Sequence, residues 1–183
     1  MARFSLHAVG QDRPGIVALV TQALAELGCN LEDSRMTILH GQFAIVLVLE
    51  APGVDNGMAI EEALTPAIEE LALQLFVRPI PDESADEVPN DLIGISIRGA
   101  DHPGTVARVA RAVQAAGGNV VDLVGHVADD SSDTPSLLEL VVALEDHDAL
   151  EPLRLELSQL ADQLAMRCEI SETVAPRIRG SRG

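Results

Sequence analysis

The sequence contains no lysine, no tryptophan and no tyrosine, and it has only three phenylalanines. Without lysine there is no Schiff-base nucleophile and no P-loop cation. With so few aromatics there is little for a base or a sugar to stack on. The core must be built from Leu, Val, Ile and Ala. Cysteine is scarce as well. Cys29 and Cys168 stand far apart, outside any CxxC spacing, and read as small apolar side chains in a reducing compartment. The longest apolar run, residues 43–49, is too short to cross a bilayer. Residues 1–6 hold no apolar stretch of signal-peptide type, so a cytoplasmic location is expected.

Catalytic patterns are missing too. No GxSxG, Walker A or GxGxxG motif occurs. His7, His40, His102, His126 and His147 show no HxxxH spacing, so no metal site is expected. Asp129, Asp130 and Asp133 lack the glycine and glutamate of a calcium loop and read as a solvated hairpin. No catalytic residue, metal ligand or cofactor is therefore expected.

Acid is abundant. The net charge is −17, and the last eleven residues contribute Arg177, Arg179 and Arg182 with no acid. The rest of the chain thus carries −20. Such a body is repelled by phosphate backbones and anionic lipid, which argues against direct nucleic-acid or membrane binding. The basic end, 173–183, reads as a solvated tail.

The chain also repeats. Gly10-Gln11-Asp12-Arg13-Pro14-Gly15 returns as Gly99-Ala100-Asp101-His102-Pro103-Gly104. At an offset of 89, residues 10–33 match 99–122 at eleven of 24 positions, Asn30 with Asn119 among them. The same offset pairs Leu71-Ala72 with Leu160-Ala161 and Arg78 with Arg167. This is a duplicated unit of about 80 residues rather than an array of short repeats.

Each copy reads as strand, helix, two strands, helix, strand. Phe4, Leu6 and Ala8 alternate with Ser5 and His7, the pattern of a half-buried strand. Ile16, Leu19, Val20, Ala23, Leu24 and Leu27 follow at helical spacing. Asp12 or Arg13 is expected at the helix cap, with Pro14 in the first turn. Ala59, Ala63, Ala67 and Leu71 suggest the buried stripe of the second helix. In the second copy, strands are expected over 92–98, 119–128, 136–145 and 164–170, with helices over 105–116 and 147–163. Aligning Glu145 with Glu50 makes the second hairpin six residues longer and the following connection six shorter. The fold class is α+β: two tandem ferredoxin-like βαββαβ domains with antiparallel sheets. Their sheets are expected side by side, with helices on one face. The domains are 1–80 and 92–172, joined by an acidic linker over 81–91.

The turn from first strand to first helix is the natural ligand position. A helix start leaves backbone N–H groups without partners, and the helix dipole favours an anion there. Gly15 and Gly104 let the backbone approach a ligand. Asn30 and Asn119 start the second strand, which is expected near the same turn, and an Asn amide both donates and accepts. Taken singly, Asp12 and Asp101 read equally well as helix caps.

The turn G-x-D-[R/H]-P-G with Asn fifteen residues beyond its last glycine resembles the ACT domain. Two such domains in one chain of this length resemble the glycine cleavage system transcriptional repressor group. The resemblance covers about 2–80 and 91–172. It implies modules that pair sheet to sheet and bind amino acids at the pairing interface. By that likeness the ligand contacts are Asp12, Arg13, Gly15, Ile16 and Asn30, then Asp101, His102, Gly104, Thr105 and Asn119. It further implies a regulator that senses a small amino acid, glycine or serine first. Such a regulator is expected to act on transcription through a DNA-binding activator protein and to form homo-oligomers. A ligand-free interaction module and a small metabolic enzyme are the alternative readings. The copies differ where Arg13 meets His102 and Ile16 meets Thr105, so the two turns need not be equivalent.

Overall fold

In the computed structural model, Phe4, Leu6 and Ala8 are buried, as their alternation requires. The structure describes residues 2–54, 56–81, 92–127 and 135–172. All but the edges of the acidic linker and of the aspartate-rich hairpin loop, and the whole basic tail, lie outside the described residues. The chain divides into two units, Met1–Asp86 and Glu87–Gly183.

The first unit runs β1 (Arg3–Gln11), α1 (Ile16–Glu26), β2 (Asn30–Leu39), β3 (Gln42–Glu50), α2 (Gly57–Leu71) and β4 (Gln74–Ile80). The second runs β5 (Leu92–Gly99), α3 (Thr105–Ala115), β6 (Gly118–His126) and β7 (Ser136–Leu144). It ends with a 3-10 turn at His147–Ala149, α4 (Leu150–Gln163) and β8 (Arg167–Ser171). Each unit is the expected βαββαβ. Each forms its own four-stranded antiparallel sheet, in the orders β2-β3-β1-β4 and β6-β7-β5-β8.

Each sheet buries one face under its two helices. In the first unit Leu6 and Leu47 meet Val20 and Leu24 of α1 and Ile60 and Leu64 of α2. In the second, Ile95 and Leu140 meet Val109 and Val113 of α3 and Leu153 and Leu157 of α4. Burying one such side chain fully is worth roughly 1.5–3 kcal/mol. The stripe of α2 is Ile60, Leu64, Ala67 and Leu71, not the alanine row. Ala59 is exposed and Ala63 half-buried, because the larger side chains one position on win the core.

The structure revises the repeat. Offset 89 holds through β6, where Val120 answers Leu31 in pairing with the third strand of its sheet. Beyond the hairpin the offset is 93. Leu140 answers Leu47, Leu157 answers Leu64, and left-handed Ala165 answers left-handed Ala72. The second hairpin is therefore four residues longer, and nothing later compensates. Arg78 of β4 and Arg167 of β8 are therefore not equivalent, and Arg78 answers Ser171. β8 accordingly starts at Arg167 rather than at 164, since residues 164–166 make the turn.

Candidate functional site

The two duplicated turns follow β1 and β5. In both, the helix cap is the glycine, Gly15 at φ 97° and Gly104 at φ 87°. Only glycine visits this left-handed region freely. The caps are thus not Asp12 or Arg13, and Pro14 precedes the cap. Neither α1 nor α3 has a side-chain cap hydrogen bond. Asp12 and Asp101 are exposed, so the reading of either as a simple helix cap fails.

The turns differ in how far the protein satisfies them. In the first, the bond from Leu19 N–H to the Gly15 carbonyl, 2.9 Å, opens the helix ladder. Earlier N–H groups, of Ile16, Val17 and Ala18, have no intrahelical acceptor. In the second, Thr105 N–H and Thr105 Oγ1 both donate to the His102 carbonyl, at 3.2 and 2.8 Å. His102 Nε2 in turn donates to the Leu164 carbonyl at 2.9 Å. Arg108 reaches Gln163 Oε1 at 2.6 Å. The second turn is fastened to the α4–β8 connection. By contrast, among the described residues Arg13 is exposed and makes no hydrogen bond or ion pair.

Ile16 and Thr105 are buried. Ile16 packs into the core with Val20 and Leu24, so it offers a ligand only its backbone. Thr105 spends its hydroxyl hydrogen on His102.

Asn30 and Asn119 are exposed, but they are not near the turn of their own unit. Asn30 stands opposite Glu50, which stands opposite Arg3, at the far end of β1. The turn begins after Gln11, eight residues along that strand. At about 3.3 Å per residue, the two are roughly 26 Å apart. Asn119 likewise shares a row with Ala143 and Leu92, at the far end of β5 from Asp101. The reason is topological. The helix carries the chain back along the sheet before the second strand begins. What does lie beside the first turn is the β2–β3 hairpin. Asp12 N–H donates to the Gly41 carbonyl at 2.8 Å, and His40 and Gly41 both have positive φ there. The signal for this neighbour is not in the turn's own residues. It lies in the pairing of strand ends that the βαββαβ order dictates, which sets Gln42 opposite Gln11.

Burial pushes both thiols up. That alone acts on Cys29. For Cys168 burial is the largest effect, opposed by Arg154 and reinforced by Glu169. Neither is an activated nucleophile of the low-pKa kind. Among the described residues, no cluster of three His, Cys, Asp or Glu is placed to hold a metal ion. Among the described residues, no helix is long and apolar enough to cross a membrane.

Comparison with known proteins finds a family that matches both units. The ACT domain family matches residues 3–78 and 91–171. The glycine cleavage system transcriptional repressor of Escherichia coli is 26% identical over 138 residues, 75% of this chain and 71% of that protein. A UPF0237 protein of Methanopyrus kandleri is 37% identical over 79 residues, covering 43% of this chain and 88% of that one. Among solved structures, an unknown protein from Galdieria sulphuraria superposes with TM-score 0.80 at 24% identity. It covers 94% of this chain and 99% of that chain, a likeness of fold.

Proposed function

Because this chain belongs to the ACT domain family, we propose that it senses a small amino acid and passes that signal to a protein partner. It is a tandem ACT protein related to the glycine cleavage system transcriptional repressor. That relation makes glycine, then serine, the first ligand to test. It makes a DNA-binding activator the first partner and transcription the process regulated. The net charge of −17 fits a chain that reaches DNA only through another protein.

The observation that carries the reading is the uncapped first turn. Its left-handed Gly15 leaves the N–H groups at the start of α1 without a side-chain cap. A carboxylate suits that position. Asp12 and Arg13 flank it, exposed, a carboxylate for the zwitterion's ammonium and a guanidinium for its carboxylate. We assign the ligand-competent turn to the first unit. In the second, His102 and Thr105 already tie the turn down.

Asn30 and Asn119 enter the proposal differently. One copy of the fold holds its turn and its Asn at opposite ends. A site using both must therefore draw on a second copy of the chain, as a homo-oligomer would supply. Ligand then favours the arrangement that brings them together, which is how binding shifts an equilibrium. Cytoplasmic homo-oligomers fit this device. Titration calorimetry with glycine, serine and the other amino acids tests the sensor reading. Saturable binding by one of them is expected. Folded protein that binds none overturns it, leaving the ligand-free interaction module.

A further inference from the structure

We propose that the uncovered sheet face of the first unit docks on the same face of a second copy of the chain. Leu6 and Leu47 turn one side of this sheet toward α1 and α2. The alternate residues of the strands form the other side, and its centre is apolar. Phe76 is 55% exposed there, Val46 42% and Val9 38%. The polar atoms between them serve each other, since Ser5 Oγ and His7 Nε2 share a hydrogen bond of 3.3 Å. Four strands about 4.8 Å apart, each of about nine residues at about 3.4 Å, make a face of roughly 19 by 30 Å. Two such faces cover roughly 1,100 Å² in total, past the roughly 1,000 Å² that a specific interface needs.

The charges at the rim select the occupant. β2 and β4 are the edge strands, with β3 and β1 between them. Across this face one row reads Asp33, Val48, Ser5, Arg78, and the next reads Arg35, Val46, His7, Phe76. Each row is thus apolar or hydrogen-bonded in the middle, and the first carries opposite charges at its two ends. A two-fold axis along the strands, between β3 and β1, lays β4 of one copy over β2 of the other and keeps like rows together. Aligned sheets pack in this way about 10 Å apart. Arg78 then faces the partner's Asp33, and Asp33 faces the partner's Arg78. Val48 and Val46 cover the partner's Ser5 and His7. Phe76 comes to lie over the partner's Arg35, and a guanidinium favours an aromatic face. Arg78 is exposed and makes no hydrogen bond or ion pair among the described residues.

The duplication supplies a control. The corresponding rows of the second unit read Val124, Glu139, Ser96, Glu169 and His126, Leu137, Arg98, Arg167. Glu139 and Glu169 stand where the first unit has Val46 and Phe76. The same axis would set Glu169 over Val124 and Arg167 over His126, so no opposite charges would meet. Covering those carboxylates without partners is costly. The self-complementary pattern belongs to the first unit alone. The contact does not rest on the amino-acid reading. The axis keeps the Gly15 turns at one end of the stacked sheets and Asn30 at the other, so this interface forms without ligand.

The experiment is sedimentation velocity of the full chain, with no amino acid present, over a range of protein concentrations. Reversible self-association is expected. Asp33→Arg alone sets a cation against the partner's Arg78 and should weaken association about tenfold or more. Arg78→Asp alone should do the same. The two changes together exchange the charges and should restore association to within about threefold, with unchanged circular dichroism in all three variants. Asn30→Ala with Asn119→Ala should leave it intact, which separates this contact from the amino-acid site. A monomeric unmodified chain, single reversals without effect, or a double exchange no better than either reversal would overturn the proposal.

Discussion

The His102 imidazole donates to the carbonyl of Leu164 at 2.9 Å and joins two segments 62 residues apart. The turn after β5 and the connection into β8 are held by this bond and by Arg108 on Gln163. His102→Ala should lower stability by about 1 kcal/mol, the net worth of one such bond. Arg13→Ala, at the equivalent place in the first unit, should change it by less than about 0.5 kcal/mol. Urea denaturation of the two variants measures the contrast.

Gly15 and Gly104 should resist substitution for a reason of backbone, not of space. A Cβ at either would meet nothing within 4 Å. The left-handed φ alone should cost Gly15→Ala and Gly104→Ala about 1 kcal/mol each. Gly99→Ala fails differently. Its Cβ would stand 3.0 Å from the Met166 Cα and 2.8 Å from the Met166 Cγ. That backbone must move, so the loss should be larger, about 2 kcal/mol. Thermal denaturation of the three variants should rank Gly99→Ala as the least stable.

Both thiols should destabilise the fold at high pH. Their folded values are raised by burial, so the folded state holds its proton more tightly. That contribution is complete below the unfolded value, about pH 8.5, and is lost as pH rises through the folded value. The Cys29→Ser, Cys168→Ser variant should show a shallower fall in denaturation midpoint between about pH 8 and 10. Native thiols should also react more slowly with iodoacetamide than those of unfolded protein.

Each core should depend on its central helix leucine. Leu64 and Leu157 are both fully buried at the middle of α2 and α4. Truncation of either to Ala should cost about 2–5 kcal/mol. Hydrogen exchange should localise the loss, with β1 and β3 losing protection in Leu64→Ala and β5 and β7 in Leu157→Ala.

Much of this fold was legible because alternation and helical spacing are local. Phe4, Leu6 and Ala8 announce β1, and Ile16, Val20 and Leu24 announce the buried face of α1. The duplication made the element order secure. What misled was register. Helix ends rich in Leu and Ala match each other at several offsets, so Arg78 was set against Arg167 while the strands align four residues further on. The places of the candidate residues were not legible. Asn30 follows the Asp12 turn closely in sequence, yet α1 carries it to the other end of the sheet. The fastening of His102 depends on Leu164, which no local pattern reveals.

The central claim is that a small amino acid binds where the Gly15 turn of one chain meets an Asn of a second chain. Titration calorimetry of the unmodified chain against Asn30→Ala with Asn119→Ala tests it most directly, glycine and serine first. The account predicts saturable binding to the unmodified chain and at least a tenfold loss in a variant that folds normally. Undiminished affinity in that variant would contradict it.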